Sequence, residues 1–202
     1  MNRTEQKQRT HQRIVDVAVR QLGEQGLSGA AVQRVMREAG LTHGGFYSHF
    51  DSKADLVAEA LAAALRAASE RLFASVDELT EAERLRRLLA AYLSRAHRDA
   101  PGEGCPLAST SADVARSSAP VRRAYAGELC RIIERIEADF GELADDTAHE
   151  RAVGTLALCV GGLLLARAVD DPALSDDILK SCRQFGGGME ATKARPKQGG
   201  HE

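Results

Sequence analysis

Between Leu41 and Leu61 the chain reads LTHGGFYSHFDSKADLVAEAL, and this stretch gathers groups suited to gripping a polyanion. Gly44 and Gly45 carry no side chain, so the backbone can approach a partner closely and amides opening a short helix can face phosphate. The same two glycines can instead serve only to tighten a turn. Thr42 offers a hydroxyl that caps the helix, touches phosphate, or does both. His43, one residue inside the helix and expected to project outward, is the candidate base reader. Phe46 can meet a thymine methyl or a sugar, or belong to a small core; Phe50 is expected to be core. Lys53 supplies a positive charge to the nucleic-acid backbone. All of this chemistry is non-covalent recognition.

The elements around these residues must hold them outward. Arg9 to Gln25 places Ile14, Val15, Ala18, Val19 and Leu22 on one helical stripe, ended by Gly26. Ser28 is a fair N-cap for a second helix from Gly29 to Ala39 carrying Val32, Val35, Met36 and Ala39, with Gly40 as its left-handed stop. A third short helix is expected over Thr42 to Phe50. Ser52 and Asp55 then form a capping box at the start of a long helix reaching about Val76. Two short helices joined by a glycine-containing turn and braced by a longer one make a helix-turn-helix, whose second helix enters the major groove. Charge agrees with this plan. Residues 1–53 hold eight Lys/Arg against five Asp/Glu, a net of +3, whereas the whole chain is −2.

The segment Leu41 to Leu61 resembles the TetR family of bacterial repressors, in which an aromatic-x-His-Phe group is followed by a helix capped by Ser-Lys. The resemblance extends from about Gln8 to Ala68 and is weak beyond. It implies that Tyr47 and His49 grip phosphate, and that a DNA-binding domain over 8–68, with its helix-turn-helix at 31–50, joins a ligand-binding and dimerisation domain over 69–188. Gly29-Ala30-Ala31 departs from the family, which often has an acidic or polar residue after the cap of the second helix. Base recognition is therefore expected to lean on Gln33 and Arg34 as well as on the recognition helix. A homodimeric one-component repressor follows, bound to a palindromic double-stranded operator and released by a small-molecule effector. An activator of the same fold remains an alternative.

An all-α fold of about nine helices is expected, since helix formers dominate and no stretch alternates apolar with polar for long. Further helices are read at Thr80–Arg98, Pro106–Arg116, Pro120–Phe140, His149–Val169 and Ser175–Phe185, and a disordered tail at 189–202. His149–Val169 carries apolar residues over more than half its circumference. Val153, Leu156, Val160, Leu163 and Leu164 on it are the expected dimer contacts, with Gly154, Gly161 and Gly162 permitting close approach. Tyr92, His97, Cys105, Ser109, Tyr125 and Cys159 are ligand-pocket candidates by their place on the middle helices. Cys105, in the break Pro101–Pro106, is expected near a helix start that would lower its thiol pKa and suit a redox or electrophile switch.

Other classes find little support. There is no Ser/His/Asp set, phosphate loop, HExxH or ExxH pattern, so neither an enzyme nor a metal site or cofactor is expected. A helical small-molecule binder without a DNA role would leave the basic N-terminal module without a purpose. Four cysteines lie far apart with no CxxC pair. The longest apolar run, Leu156–Ala166, is short for a bilayer, and a cytoplasmic location without membrane contact is the expectation.

Overall fold

The computed structural model describes residues 2–29, 31–74, 79–102, 104–140 and 145–188; the tail expected at 189–202 lies outside them. Nine α-helices and three short 3-10 turns make up the described residues, which contain no strand. The first helix, α1 (Arg3–Gln25), begins six residues earlier than its apolar stripe predicts. Asn2 caps it, accepting from the Thr4 amide at 3.3 Å while the Glu5 carboxylate accepts from the Asn2 amide at 3.1 Å. Its inner face buries Ile14, Val15, Val17, Ala18 and Leu22.

After a 3-10 turn at Gly26–Gly29 come α2 (Val32–Glu38), a 3-10 turn at His43–Ser48, and the long α3 (Lys53–Ala74). The second helix starts three residues later than expected, with Ala31 rather than Ser28 at its N-cap and no side-chain cap. At Ser52 the hydroxyl accepts from the Asp55 amide at 3.2 Å and donates to the Asp55 carboxylate at 2.7 Å. That closure opens α3 where expected. The expected domain boundary at 68/69 falls inside the continuous helix α3, which packs on both α1 and α7.

The remaining helices are α4 (Glu81–Tyr92), α5 (Arg95–Asp99), α6 (Pro106–Ala115), α7 (Ala119–Glu137), α8 (Asp145–Ala168) and α9 (Pro172–Gly188), with a 3-10 turn at Ala138–Phe140. The single helix expected at Thr80–Arg98 is broken: Ser94 leaves the helix and caps α5, its hydroxyl accepting from the His97 amide at 3.1 Å. Proline at the first turn, where a missing amide hydrogen costs no helical bond, starts α6 and α9. One continuous apolar core runs from Ile14 and Phe46 through Leu61 and Leu65 to Leu89, Leu107, Leu156 and Leu163.

Candidate nucleic-acid interface and internal cavity

The helix-turn-helix is built by a tight stop at the end of α2. Gly40 adopts φ +70°, the Leu41 amide donates to the Met36 carbonyl at 2.8 Å, and the Gly40 amide donates to the Arg37 carbonyl at 3.1 Å. This is a Schellman motif, and the positive φ is why glycine stands there. Arg20 and Gln21 of α1 both donate to Glu38, at 2.8 and 2.7 Å, and hold its carboxyl below the usual carboxylate range. So α2 is clamped to α1 at the end that aims the following turn. That turn, His43–Ser48, is 3-10 rather than the expected α-helix running to Phe50. It therefore offers a few local amides more than an extended helix dipole.

Side chains divide sharply here. Phe46 is fully buried, stacked on Phe50 with ring centroids 5.5 Å apart, which removes it as a base or sugar contact; the little domain needs it as core. Gln33, Thr42, His43, Gly44, Tyr47 and Lys53 are exposed, and His43 and Tyr47 sit edge to face at 6.4 Å. Thr42 occupies the N-cap position but makes no side-chain cap bond. A Cβ at Gly44 would meet nothing within 4 Å, and one at Gly45 would make only ordinary contacts at 3.8 Å; neither has a positive φ. Nothing inside the protein requires glycine at these two positions.

His49 is half-buried, its Nδ1 enclosed without a partner, and burial together with nearby His11 and Lys7 pushes its pKa below 6.5. A neutral ring follows, able to hydrogen-bond but not to add charge. Arg34 is engaged with Gln25 at 2.5 Å and would have to exchange that partner to reach a base. What the sequence reading missed is the first turns of α1: Lys7 comes close enough to His49 to influence it, so α1 adds positive charge to the same face. The signal was the basic residues before Ile14, which precede the apolar stripe.

In the other half, α3, α4, α6, α7 and α8 enclose a cavity lined by apolar side chains, with Tyr92, Cys105, Thr155 and Cys159 among them. The free space between them is about 480 Å³, part of it open to solvent. The hydroxyl of Thr155, a residue only 3% exposed, is buried there without a hydrogen-bond partner, and that of Tyr92, 4% exposed, reaches only the Cys105 thiol, a weak partner. An orphan such as that of Thr155 costs about 1–3 kcal/mol. Thr155 was not foreseen, since one threonine in an apolar helix has no distinctive spacing.

His97 sits at the rim rather than in the cavity. Its Nε2 accepts from the Cys105 amide at 2.9 Å, which places the proton on Nδ1 to donate to the Tyr92 carbonyl at 2.7 Å. Gly104 lets this happen: a Cβ there would lie 2.6 Å from His97 Nε2. Arg167 of α8 donates to the carbonyls of His97 at 2.5 Å and Arg98 at 3.1 Å, closing the same corner. Cys105 occupies the N-cap position of α6 without a side-chain cap bond, and burial pushes its thiol up, not down as expected for a reactive cysteine at a helix start. Burial likewise raises Cys159 to about 12. Tyr125 is tied to Ser111 at 2.6 Å, and exposed Ser109 bonds the Pro106 carbonyl at 3.2 Å; Ser109 lines a separate cleft against α1.

The apolar helix α8 has two fates along its surface. Leu156 and Leu163, expected in a dimer contact, are buried within the protomer, and Val160 is partly covered. Val153, Leu164 and Leu165 are exposed, as are Leu174 and Phe185 of α9, the last at 70%. Gly162 is packed against Cys182 of α9, whereas a Cβ at Gly154 or Gly161 would meet nothing. Thr147–Ala168 is long and apolar enough, by length and composition, to cross a membrane, contrary to the expectation drawn from Leu156–Ala166. Its inner side instead forms core with α7 and α9.

Comparison with known proteins fits this geometry. Residues 14–60 match the family of bacterial regulatory proteins of the tetR type, and residues 81–182 match the tetracyclin repressor-like C-terminal domain. The transcriptional regulator AcrR of Shigella flexneri is 40% identical over 55 residues, and SrpR of Pseudomonas putida 40% identical over 53. These matches span about a quarter of each relative's length (26% and 25%). Among solved structures, a TetR-family regulator from Cytophaga hutchinsonii superposes with TM-score 0.76 at 22% identity, over 91% of this chain and 96% of that one. The reduced form of Escherichia coli NemR gives 0.71 at 18% identity, over 88% and 95%.

Proposed function

The chain belongs to the TetR family of bacterial transcriptional regulators, which are not enzymes, and from that premise we propose that it is a cytoplasmic homodimeric repressor released from a palindromic operator by a small-molecule effector. The observation that carries the DNA-facing part is the turn at Thr42–Tyr47. Two glycines needed by neither backbone conformation nor internal packing lie beside an uncapped threonine hydroxyl and an exposed tyrosine. A surface left flat and polar in this way suits a phosphate backbone at close approach. Thr42, Gly44, Gly45, Tyr47, His49 and Lys53 take the phosphates, with Lys7 adding charge, while His43, Gln33 and Arg34 reach base edges.

The exposed apolar stripes of α8 and α9, carrying Val153, Leu164, Leu165, Leu174 and Phe185, meet their copies in a second protomer. The two recognition turns then address half-sites about 34 to 36 Å apart. The cavity beneath Tyr92 holds the effector. Its message has a short route: Tyr92 and Cys105 are bridged by His97, and the segment bearing Cys105 presses on α1, where a Cβ at Gly23 would lie 3.0 Å from the Gly102 carbonyl oxygen. Displacing Tyr92 or Leu107 would shift α6 and, through it, α1 and the turn it clamps.

Selection from random duplexes with the full-length protein tests the DNA-binding reading. The expected result is an enriched palindrome whose affinity falls steeply with salt. Enrichment of no symmetric site would overturn it.

A further inference from the structure

The inner cavity has a chemical character specific enough to name its occupant's class. Resting on the sensing role given above, we propose that it binds a compact, neutral, single-ring molecule carrying a carbonyl oxygen, of the aryl ketone class, with that oxygen accepting the Tyr92 hydroxyl proton and Thr155 offering a second donor.

Three observations carry this. The lining holds no charged side chain, so an ion would be buried without a counter-charge. The nearby guanidinium of Arg167 is committed to the His97 and Arg98 carbonyls, and no carboxylate lines the site to favour a cation. Second, the Thr155 hydroxyl is buried and unpartnered, and the buried Tyr92 hydroxyl reaches only the Cys105 thiol, a weak partner, although a buried polar group normally finds a good one. A phenolic hydroxyl is the better donor, so the missing partner is an acceptor. Thr155 and Cys159 stand one turn apart on α8, and Cys159 lies close enough to Tyr92 to influence it, so both hydroxyls belong to one end of the cavity. Third, the remaining walls, from Phe73, Leu88, Leu107, Ile132 and Leu156, are apolar and close together, which suits a small ring. A more open cleft formed by Arg71, Ala91, His97 and Gly104 shares Tyr92 and Cys105 with the cavity and supplies the way in. With their thiols pushed up by burial, Cys105 and Cys159 act as soft wall and not as nucleophiles.

Three matched probes test the proposal on the full-length protein by calorimetry and thermal melting: acetophenone, ethylbenzene and benzoate. Acetophenone is expected to bind at least about tenfold more tightly than ethylbenzene, with no measurable binding of benzoate. Tyr92→Phe should abolish the ketone's advantage while leaving ethylbenzene binding unchanged, and Thr155→Val should give a smaller loss of the same sign. Neither free variant should melt clearly below wild type, because in the unliganded protein the Thr155 hydroxyl has no partner and the Tyr92 hydroxyl only a weak thiol one; a purely structural role would lower the melting temperature instead. Equal binding of ketone and hydrocarbon, tighter binding of benzoate, no binding of any probe at millimolar concentration, or unchanged ketone binding in both variants would overturn it. Duplex binding measured on the same samples without probe separates this failure from failure of the regulator reading: loss of one leaves the other standing.

Discussion

The DNA-facing turn and the internal cavity both present polar groups without internal partners, yet they are assembled in opposite ways. The turn draws its groups from one run of a dozen residues, Thr42 to Lys53, most of them at the surface where water substitutes for the absent partner. The cavity draws Tyr92 and Thr155 from two helices and buries them where water cannot do so cheaply. On the proposed function, binding at the turn would exchange solvent and counterions for phosphate, whereas binding in the cavity would give poorly satisfied hydroxyls a partner. The first should be salt-dependent and tolerant of substitution, the second sensitive to single atoms and to the packing around it.

Substitutions on α8 and α9 should separate core from surface most strongly. Leu163→Asp, at a fully buried site, should cost more than the ~2–5 kcal/mol of a buried leucine truncation and leave no cooperative thermal transition. Phe185→Asp should keep the fold, seen by circular dichroism, but give monomers in light scattering and lower operator affinity about 10²- to 10⁴-fold through lost bivalency. A folded Leu163→Asp monomer would reverse the assignment of the two faces.

Gly104→Ala forces a carbon against His97 Nε2 and should destabilise the protein by about 1–3 kcal/mol in denaturant melts, while Gly44→Ala should leave stability unchanged within about 0.5 kcal/mol. Gly44→Ala is expected instead to weaken operator binding. If it binds DNA as wild type does, the turn is only a turn. Lys53→Ala should reduce the slope of log affinity against log salt by about one without altering sequence preference.

The smallest effect is one of pH. Burial pushes His97 below its ordinary 6.5, so the unfolded chain takes up the proton first. The stability contribution is complete above about 6.5 and is lost as pH falls toward the folded value. His49 acts in the same direction. Melting temperature should decline on acidification, and His97→Gln should make that decline shallower; an unchanged profile would mean the imidazole is not held neutral.

Much of the N-terminal half was legible because its determinants are local. Gly40 stops α2 through its own backbone angle, Ser52 and Asp55 close their box across three residues, and the stripe from Ile14 to Leu22 shows the buried face directly. Local rules also misjudged positions there. Phe46 lies between outward-facing neighbours, and only contact with Phe50 shows it to be core. Ser28 has the right chemistry for a cap but the wrong place, because the chain spends Gly26–Gly29 in a 3-10 turn first.

Periodicity in α8 carries little information, since a helix apolar on every side has no face marked as inner. Neighbours decide it: α7 and α9 take Leu156 and Leu163, leaving Leu164 and Leu165 outside. Composition and short-range spacing thus determined that the chain is helical, where α2 stops and where α3 opens. Tertiary structure alone decided which side of α8 is free, that the surroundings of Cys105 push its thiol pKa up, and that Tyr92 and Thr155 share a cavity. Burial and partnership depend on chains distant in sequence, and no local pattern records which of them will arrive.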